Sequence, residues 1–137
     1  SKDAPALGGV YKLVEQEHGG KIIPRMKFSE DKRTYPCKKQ VYRTIDKAGN
    51  FVEDVIGLEG EKIGGIPLLI PVIKDGKICY NLPATPEIQH TTSNNLVHLP
   101  EPFKRLTDAE TYPVTKSLGL EAKRNEAEKI LRDINIP

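Results

Sequence analysis

The sequence lacks tryptophan and has only one methionine and two cysteines among its 137 residues. Cys37 and Cys79 lie far apart without a Cys-x-x-Cys spacing, which favours a reduced, cytoplasmic compartment. No apolar run approaches the roughly 20 residues that a membrane helix requires. Prolines interrupt the longest run, Ile66 to Ile73, at positions 67 and 71. We therefore expect a cytoplasmic protein that does not enter a membrane.

Several catalytic signatures are absent as well. The sequence contains no Walker phosphate loop and no GxGxxG, HExxH or GxSxG motif. Its histidines, His18, His90 and His98, lack the spacing of zinc ligands, so we expect them to be structural or solvent-facing. The sequence therefore predicts neither a catalytic residue nor a metal ligand within this chain.

Length and composition describe one globular domain. The chain has 37% hydrophobic and 29% charged residues, which is the balance of a folded segment rather than a disordered one. Its eleven glycines and eleven prolines indicate short elements joined by tight turns. The chain opens without an initiator methionine, as the interior of a longer polypeptide would.

The hydrophobic patterning predicts an α+β fold. An antiparallel β portion, about residues 8–83, precedes two helices, so that residues 1–83 are β-rich and residues 85–137 helical. Gly19-Gly20, Asp46–Asn50 and Asp75-Gly76 are the expected hairpin turns. Thr85 and Ser117 are candidate caps of the two helices. The predicted strands are Val10–Glu15, Lys21–Phe28, Lys38–Ile45, Phe51–Leu58, Ile66–Ile73 and Lys77–Leu82.

Positive charge is concentrated in one segment. Residues 21–43 carry eight basic and two acidic residues, a net charge of +6 in a chain whose total is +2. Such a segment suits phosphate or diphosphate recognition, but it is equally typical of a solvated, salt-bridged edge strand. Nucleic acid is disfavoured, because only Tyr35 and Tyr42 could stack on bases. A stand-alone module that binds an anionic ligand or RNA remains the alternative to an enzyme.

Four motifs in this order carry a family resemblance: DAPALGGVYKLVE, PRMKFSED, TYPCKKQVYR and DKAGNFVEDVIGLEGE. They resemble the C-terminal region of nicotinate phosphoribosyltransferase. The resemblance is strong over residues 3–61, weaker over Ile66–Leu82, and faint in the YPVTKSL segment at residues 112–118.

The resemblance implies an enzyme of NAD salvage. Such enzymes form nicotinate mononucleotide and diphosphate from nicotinate and phosphoribosyl diphosphate, with Mg2+ and ATP hydrolysis. The resemblance also implies that the catalytic histidine and the base pocket lie upstream, in an α/β barrel against which this chain packs. We therefore expect a C-terminal fragment that is inactive alone and works within a cytoplasmic homodimer.

The resemblance also suggests a role for the basic segment. By position, Lys27 is the first candidate for a diphosphate contact, and Arg25, Ser29, Lys39 and Arg43 are further candidates. Strand alternation would place Arg25, Lys27 and Ser29 on one face. In the family the position of Cys37 is usually glycine, so a cysteine there predicts either an ordinary turn or a strained one.

Overall fold

The computed structural model describes residues 9–27, 29 and 33–134. The chain divides into two compact units: the first combines residues up to Lys38 with those from Leu120 onward, and the second is Lys39–Gly119. Neither unit coincides with the predicted β-rich or helical part, and the single domain stays a prediction. In chain order the elements are β1 (Glu15–His18), β2 (Lys21–Pro24), β3 (Lys39–Ile45), β4 (Phe51–Leu58), β5 (Ile66–Pro67), β6 (Ile73–Lys74), β7 (Lys77–Ile78), α1 (Thr85–His98), a 3-10 turn (Glu101–Phe103), β8 (Val114–Lys116) and α2 (Leu118–Ile134).

The first unit begins with the β1–β2 hairpin. Its antiparallel strands turn at Gly19-Gly20, as predicted, and both glycines have positive φ angles. The predicted strand bounds were wrong, because β1 starts only at Glu15 and β2 ends at Pro24 rather than Phe28. Proline has no N–H group for a ladder, so it is favoured at strand ends.

Helix α2 supplies the core of the first unit. Leu120 and Ala127 are buried, and Pro36 is fully enclosed. The predicted apolar stripe is only partly covered, since Ala127 is buried whereas the side chain of Ile130 is 48% exposed. An amphipathic helix therefore forms as the periodicity indicated, with part of its apolar face open.

A four-stranded sheet in the order β5-β3-β4-β8 forms the second unit. The β3–β4 hairpin matches its prediction, and its loop is held by the Asp46 carboxylate, which accepts hydrogen bonds of 2.8 Å from the backbone N–H groups of Ala48 and Asn50. Tyr42 is the buried aromatic residue of this sheet, and its hydroxyl donates to the Leu58 carbonyl at 3.3 Å.

One strand of this sheet corrects the predicted topology. β8 lies in the part predicted to be helical, and it pairs in parallel with β4, so the sheet is mixed rather than antiparallel. Three residues are too few to show a period in the sequence, and their pairing depends on contacts with a distant strand. The α+β class itself is confirmed.

The segment after β5 also differs from prediction. The expected strand Ile66–Ile73 is broken, because Pro67 and Pro71 cannot donate ladder hydrogen bonds. What remains is the short β6–β7 hairpin, which turns at Asp75-Gly76 with φ angles of +50° and +72°. These angles are the left-handed pair that a two-residue hairpin turn requires.

Helix α1 follows this hairpin. Its cap differs from the prediction by one residue, since Ala84 rather than Thr85 is the N-cap, and the Glu87 carboxylate accepts a 2.8 Å hydrogen bond from the Ala84 N–H group. α1 has no buried residue. No helix among the described residues is long and apolar enough to cross a membrane.

Candidate functional site

The backbone around Lys27 is fixed by a reciprocal contact with Thr34. The Lys27 N–H group donates to Thr34 Oγ1 at 2.7 Å, and the Thr34 N–H group donates to the Lys27 carbonyl at 3.1 Å. Lys27 itself is exposed, and no described residue forms an ion pair with its ammonium group. Its backbone is therefore positioned while its positive charge faces water, which is what recognition of an incoming anion needs.

Arg25 lies just beyond β2 and is also exposed. Its Nη2 and Nε atoms donate to Gln16 Oε1 at 2.9 and 3.3 Å, so the guanidinium is oriented by a neutral partner and keeps its charge. The predicted strand alternation is wrong for this segment, because Arg25, Lys27 and Ser29 all follow the end of β2 at Pro24. Their convergence on one anion stays a prediction.

The next two lysines have separate environments. The ammonium of Lys38 pairs with the Glu15 carboxylate at 3.3 Å, and its backbone N–H group donates to the same carboxylate at 3.0 Å. Lys39 begins β3, is half-buried, and belongs to the second unit. Cys37, which precedes these lysines, has a φ angle of +66°. The cysteine therefore adopts the backbone conformation that glycine prefers, and of the two predicted alternatives the turn is the strained one.

Arg43 is engaged inside the second unit. Its Nε and Nη2 atoms each lie 2.8 Å from an oxygen of Asp54, and its guanidinium carbon lies 4.2 Å from the centre of the Phe51 ring. The hydrogen bonds to Asp54 raise the pKa of Arg43, and those from Arg43 lower the pKa of Asp54 against the opposing effect of burial. An anion that binds Arg43 must compete with Asp54, so the role of Arg43 in this structure is to hold the sheet together. A contact between Arg43 and diphosphate stays a prediction.

The first unit also holds a polar cluster that was not predicted from the sequence. The Tyr35 hydroxyl donates to Glu121 Oε1 at 2.8 Å, and Arg124 lies over the Tyr35 ring while pairing with Glu128 at 3.0 Å. Burial, and then the hydrogen bond to Glu121, raise the pKa of Tyr35. The sequence did carry a signal for this cluster. Glu121, Arg124 and Glu128 follow one another at intervals of three and four residues, which places them side by side on a helix. The cluster joins Tyr35 to helix α2.

An open groove of about 610 Å³ lies in the second unit, beside the β3–β4 loop. Its walls are mainly apolar and aromatic, and its acidic groups are Asp46 and Glu101. His98 packs nearby against Phe51, with ring centres 5.9 Å apart. Lys104 also lines the groove but pairs with Glu101 at 2.8 Å, so the groove carries a net negative charge, which disfavours a phosphate ligand there. Across the described parts of the chain, no three His, Cys, Asp or Glu side chains are grouped to hold a metal.

Comparison with known proteins assigns this arrangement to a family. A family model described as the nicotinate phosphoribosyltransferase C-terminal domain matches residues 65–124. The chain is 36% identical over 119 residues to nicotinate phosphoribosyltransferase pncB2 of Mycobacterium tuberculosis strain H37Rv, covering 85% of this chain and 25% of that protein. It is 33% identical over 141 residues to nicotinate phosphoribosyltransferase of Bacillus subtilis, covering 84% and 29%.

The fold agrees with these matches. A crystal structure of human nicotinic acid phosphoribosyltransferase superposes with a TM-score of 0.68 and 26% identity, covering 88% of this chain and 27% of the human chain. The chain belongs to the nicotinate phosphoribosyltransferase family. It spans about a quarter of the length of these relatives, and the family model places it in their C-terminal region.

The matched ranges tell where the family features lie. The family model covers the β6–β7 hairpin, α1, β8 and the start of α2, whereas Lys27 and Cys37 precede it. The relative from Mycobacterium tuberculosis nevertheless matches 85% of the chain, so the similarity extends over part of the basic segment as well. Within this nicotinate phosphoribosyltransferase region, Lys27 is an exposed cation whose backbone is fixed by Thr34.

Proposed function

We propose that this chain is the C-terminal part of an enzyme that makes nicotinate mononucleotide and diphosphate from nicotinate and phosphoribosyl diphosphate, with hydrolysis of ATP. The similarity to nicotinate phosphoribosyltransferases along most of the chain carries the proposal, and the likeness in fold to the human enzyme supports it. A cytoplasmic homodimer is part of the same proposal. The competing RNA- or anion-binding module has no comparable support.

The chain's own contribution is structural and electrostatic. As the bond from ribose to diphosphate breaks, negative charge accumulates on the leaving group, so a cation already in place stabilises the transition state more than the substrate. Lys27 meets this requirement because its ammonium is exposed and its backbone is held by Thr34. Arg25, oriented by Gln16, is the second candidate. Ser29 and Lys39 rank after them.

The Mg2+ ion of such an enzyme has no ligand set in the described part of this chain. Side chains of the metal-binding types do not converge there, so the residues present do not fit the ion. ATP and Mg2+ therefore belong, in this proposal, to the upstream portion of the enzyme. No step assigned to this chain passes through the metal.

The direct test is reconstitution with an upstream portion, for which the Bacillus subtilis relative is suitable. We expect formation of nicotinate mononucleotide only when both parts are present, and loss of activity in either part alone. Persistent inactivity of a folded assembly, together with polyanion binding by this chain alone, would favour the stand-alone module.

Substitution of Lys27 tests its assigned role in the active assembly. Lys27→Ala should weaken transition-state binding by about 2–4 kcal/mol, seen as a lower kcat/KM for phosphoribosyl diphosphate. Lys21→Ala, which removes an exposed cation at the start of β2, six residues before Lys27, is the matched control and should change kcat/KM little. Equal effects of the two substitutions would show that the overall positive charge of the chain matters, rather than the position of Lys27.

A further inference from the structure

An exposed apolar segment begins at β5 and ends shortly before α1. Every residue from Ile66 to Leu82 is exposed, and we call this segment the apolar arm. A monomer normally exposes apolar side chains singly or in small patches, so this concentration within 17 consecutive positions indicates a binding surface. Its exposed large apolar residues are Ile66, Leu68, Leu69, Ile70, Val72, Ile73, Ile78, Tyr80 and Leu82.

The base of the apolar arm is anchored on β3. The Leu68 N–H group donates to the Val41 carbonyl at 2.8 Å. The side-chain amide of Gln40 then contacts Leu69 twice, accepting from its N–H group at 2.8 Å and donating to its carbonyl at 2.9 Å. The outer part is closed by the β6–β7 pairing and by a 2.9 Å hydrogen bond from the Cys79 N–H group to the Val72 carbonyl. The arm therefore presents its side chains from a defined backbone.

Apolar exposure runs through successive residues of the apolar arm. Leu69 and Ile70 are neighbours in the chain, and they are 55% and 52% exposed. Ile73 and Ile78 pair across the hairpin and are each 66% exposed. All 17 residues of the apolar arm are exposed, so a flat surface would cover only part of it, and a partner that buries it must provide a cleft.

Charge indicates how the apolar arm is oriented in such a cleft. Its only charged residues, Lys74, Asp75 and Lys77, all lie at the β6–β7 turn. Burial of an unpaired charge is costly, so the turn should remain in water while the apolar side chains on either side are enclosed. The apolar arm thus has a buried length and a solvated tip.

We infer that the apolar arm inserts into a cleft of the upstream portion of the nicotinate phosphoribosyltransferase polypeptide. This inference rests on the proposed function. In the relatives, the part outside the matched region is about three quarters of the polypeptide, which is a body large enough to supply a cleft. A second copy of this chain is the alternative occupant, and dependence of the protection on protein concentration distinguishes it.

Hydrogen exchange tests the inference in the whole enzyme. This chain is joined to the upstream portion of the Bacillus subtilis relative, and exchange of residues 66–82 is compared with that of this chain alone. We expect at least tenfold slower exchange in the joined protein. A peptide covering residues 104–110, which contains the 103% exposed Leu106, should exchange equally in both. Equal exchange of residues 66–82 overturns the inference, as does protection that develops in this chain alone with rising concentration, since that indicates a second copy.

A matched pair of substitutions tests the same surface. Ile78→Asp in the joined protein should restore fast exchange to residues 66–82, whereas Leu106→Asp should leave them protected. Both side chains are exposed, so neither substitution should unfold this chain, and circular dichroism of the chain alone checks this. Identical behaviour of the two variants overturns the inference.

Activity of the joined protein separates this inference from the proposed function. An active enzyme whose residues 66–82 exchange rapidly retains the proposed function and refutes the docking of the apolar arm. An inactive protein with strongly protected residues 66–82 supports docking and counts against the proposed function.

Discussion

Arg43 and Asp54 face each other directly across the β3–β4 hairpin and form two hydrogen bonds of 2.8 Å. Their side chains are only 23% and 13% exposed, and the Phe51 ring lies beneath the guanidinium. The Tyr112 hydroxyl adds a 3.3 Å hydrogen bond to Asp54. The pair thus joins β3, β4 and the segment before β8.

Removing both members of this pair should cost less than the sum of the two single losses. Asp54→Ala leaves a half-buried guanidinium without its partner, and we expect a loss of about 2 kcal/mol in the free energy of unfolding. The double variant Arg43→Leu, Asp54→Leu leaves no uncompensated charge and should lose less than the sum of the single variants. Urea unfolding followed by circular dichroism measures the coupling. Additive losses would contradict a specific pair.

Stability should fall on acidification. The pKa values of Asp54 and Glu61 are lowered in the folded state from ordinary values of 3.8 and 4.5. A lowered pKa stabilises the folded state above the unfolded-state pKa, and that stability is lost as the pH falls through the folded value. We therefore expect the free energy of unfolding to decline from about pH 4.5 downward. Arg43→Leu should flatten the decline, because Asp54 then loses its main partner.

The effect of Gly119→Ala on stability should depend on Glu61: destabilising when Glu61 is present and stabilising when it is absent. The Glu61 carboxylate accepts hydrogen bonds from the Leu58 N–H group at 2.8 Å, from the Ser117 hydroxyl at 2.7 Å and from the backbone of Gly119. Burial alone raises its pKa, but these bonds outweigh it. A Cβ atom at Gly119 would lie 2.5 Å from Glu61 Oε1.

Gly119→Ala should consequently destabilise the protein by about 1 kcal/mol, although alanine is ordinarily the better helix residue. In a Glu61→Ala background the obstruction is gone, and the same substitution should stabilise by about 0.5–1 kcal/mol. Thermal or urea unfolding of the unsubstituted protein, the two single variants and the double variant measures both effects. The same sign in both backgrounds would refute the contact.

Cys37 offers a stabilising substitution. Its φ of +66° is unfavourable for any residue with a Cβ atom and ordinary for glycine. Cys37→Gly should raise the free energy of unfolding by about 0.5–1 kcal/mol, since relief of strain exceeds the added freedom of the unfolded chain. Cys37→Ala removes the thiol but keeps the Cβ, so it should give no gain. A gain with alanine would assign the effect to the thiol.

Local patterns in the sequence predicted the elements that local forces form. The β3–β4 hairpin, the Asp75-Gly76 turn and the amphipathic α2 depend on alternation, turn chemistry and helical spacing within a few residues of each other. The β3–β4 hairpin also lies within the motifs that carried the family resemblance. For the same reason Cys37, in the place of the usual glycine, could be singled out before its φ angle was known.

Tertiary structure decided which distant residues meet. Arg43 was a candidate anion ligand from its charge alone, but its pairing with Asp54 depends on the strand register. Glu61 meets Ser117 across 56 positions, and the three-residue β8 exists only because β4 is there to pair with it. Sequence by itself determined the β3–β4 and β6–β7 turns, helix α2 and the family. Three-dimensional packing determined the parallel strand β8 and which charges pair within the sheet, because partners separated by long stretches of chain leave no periodic signal.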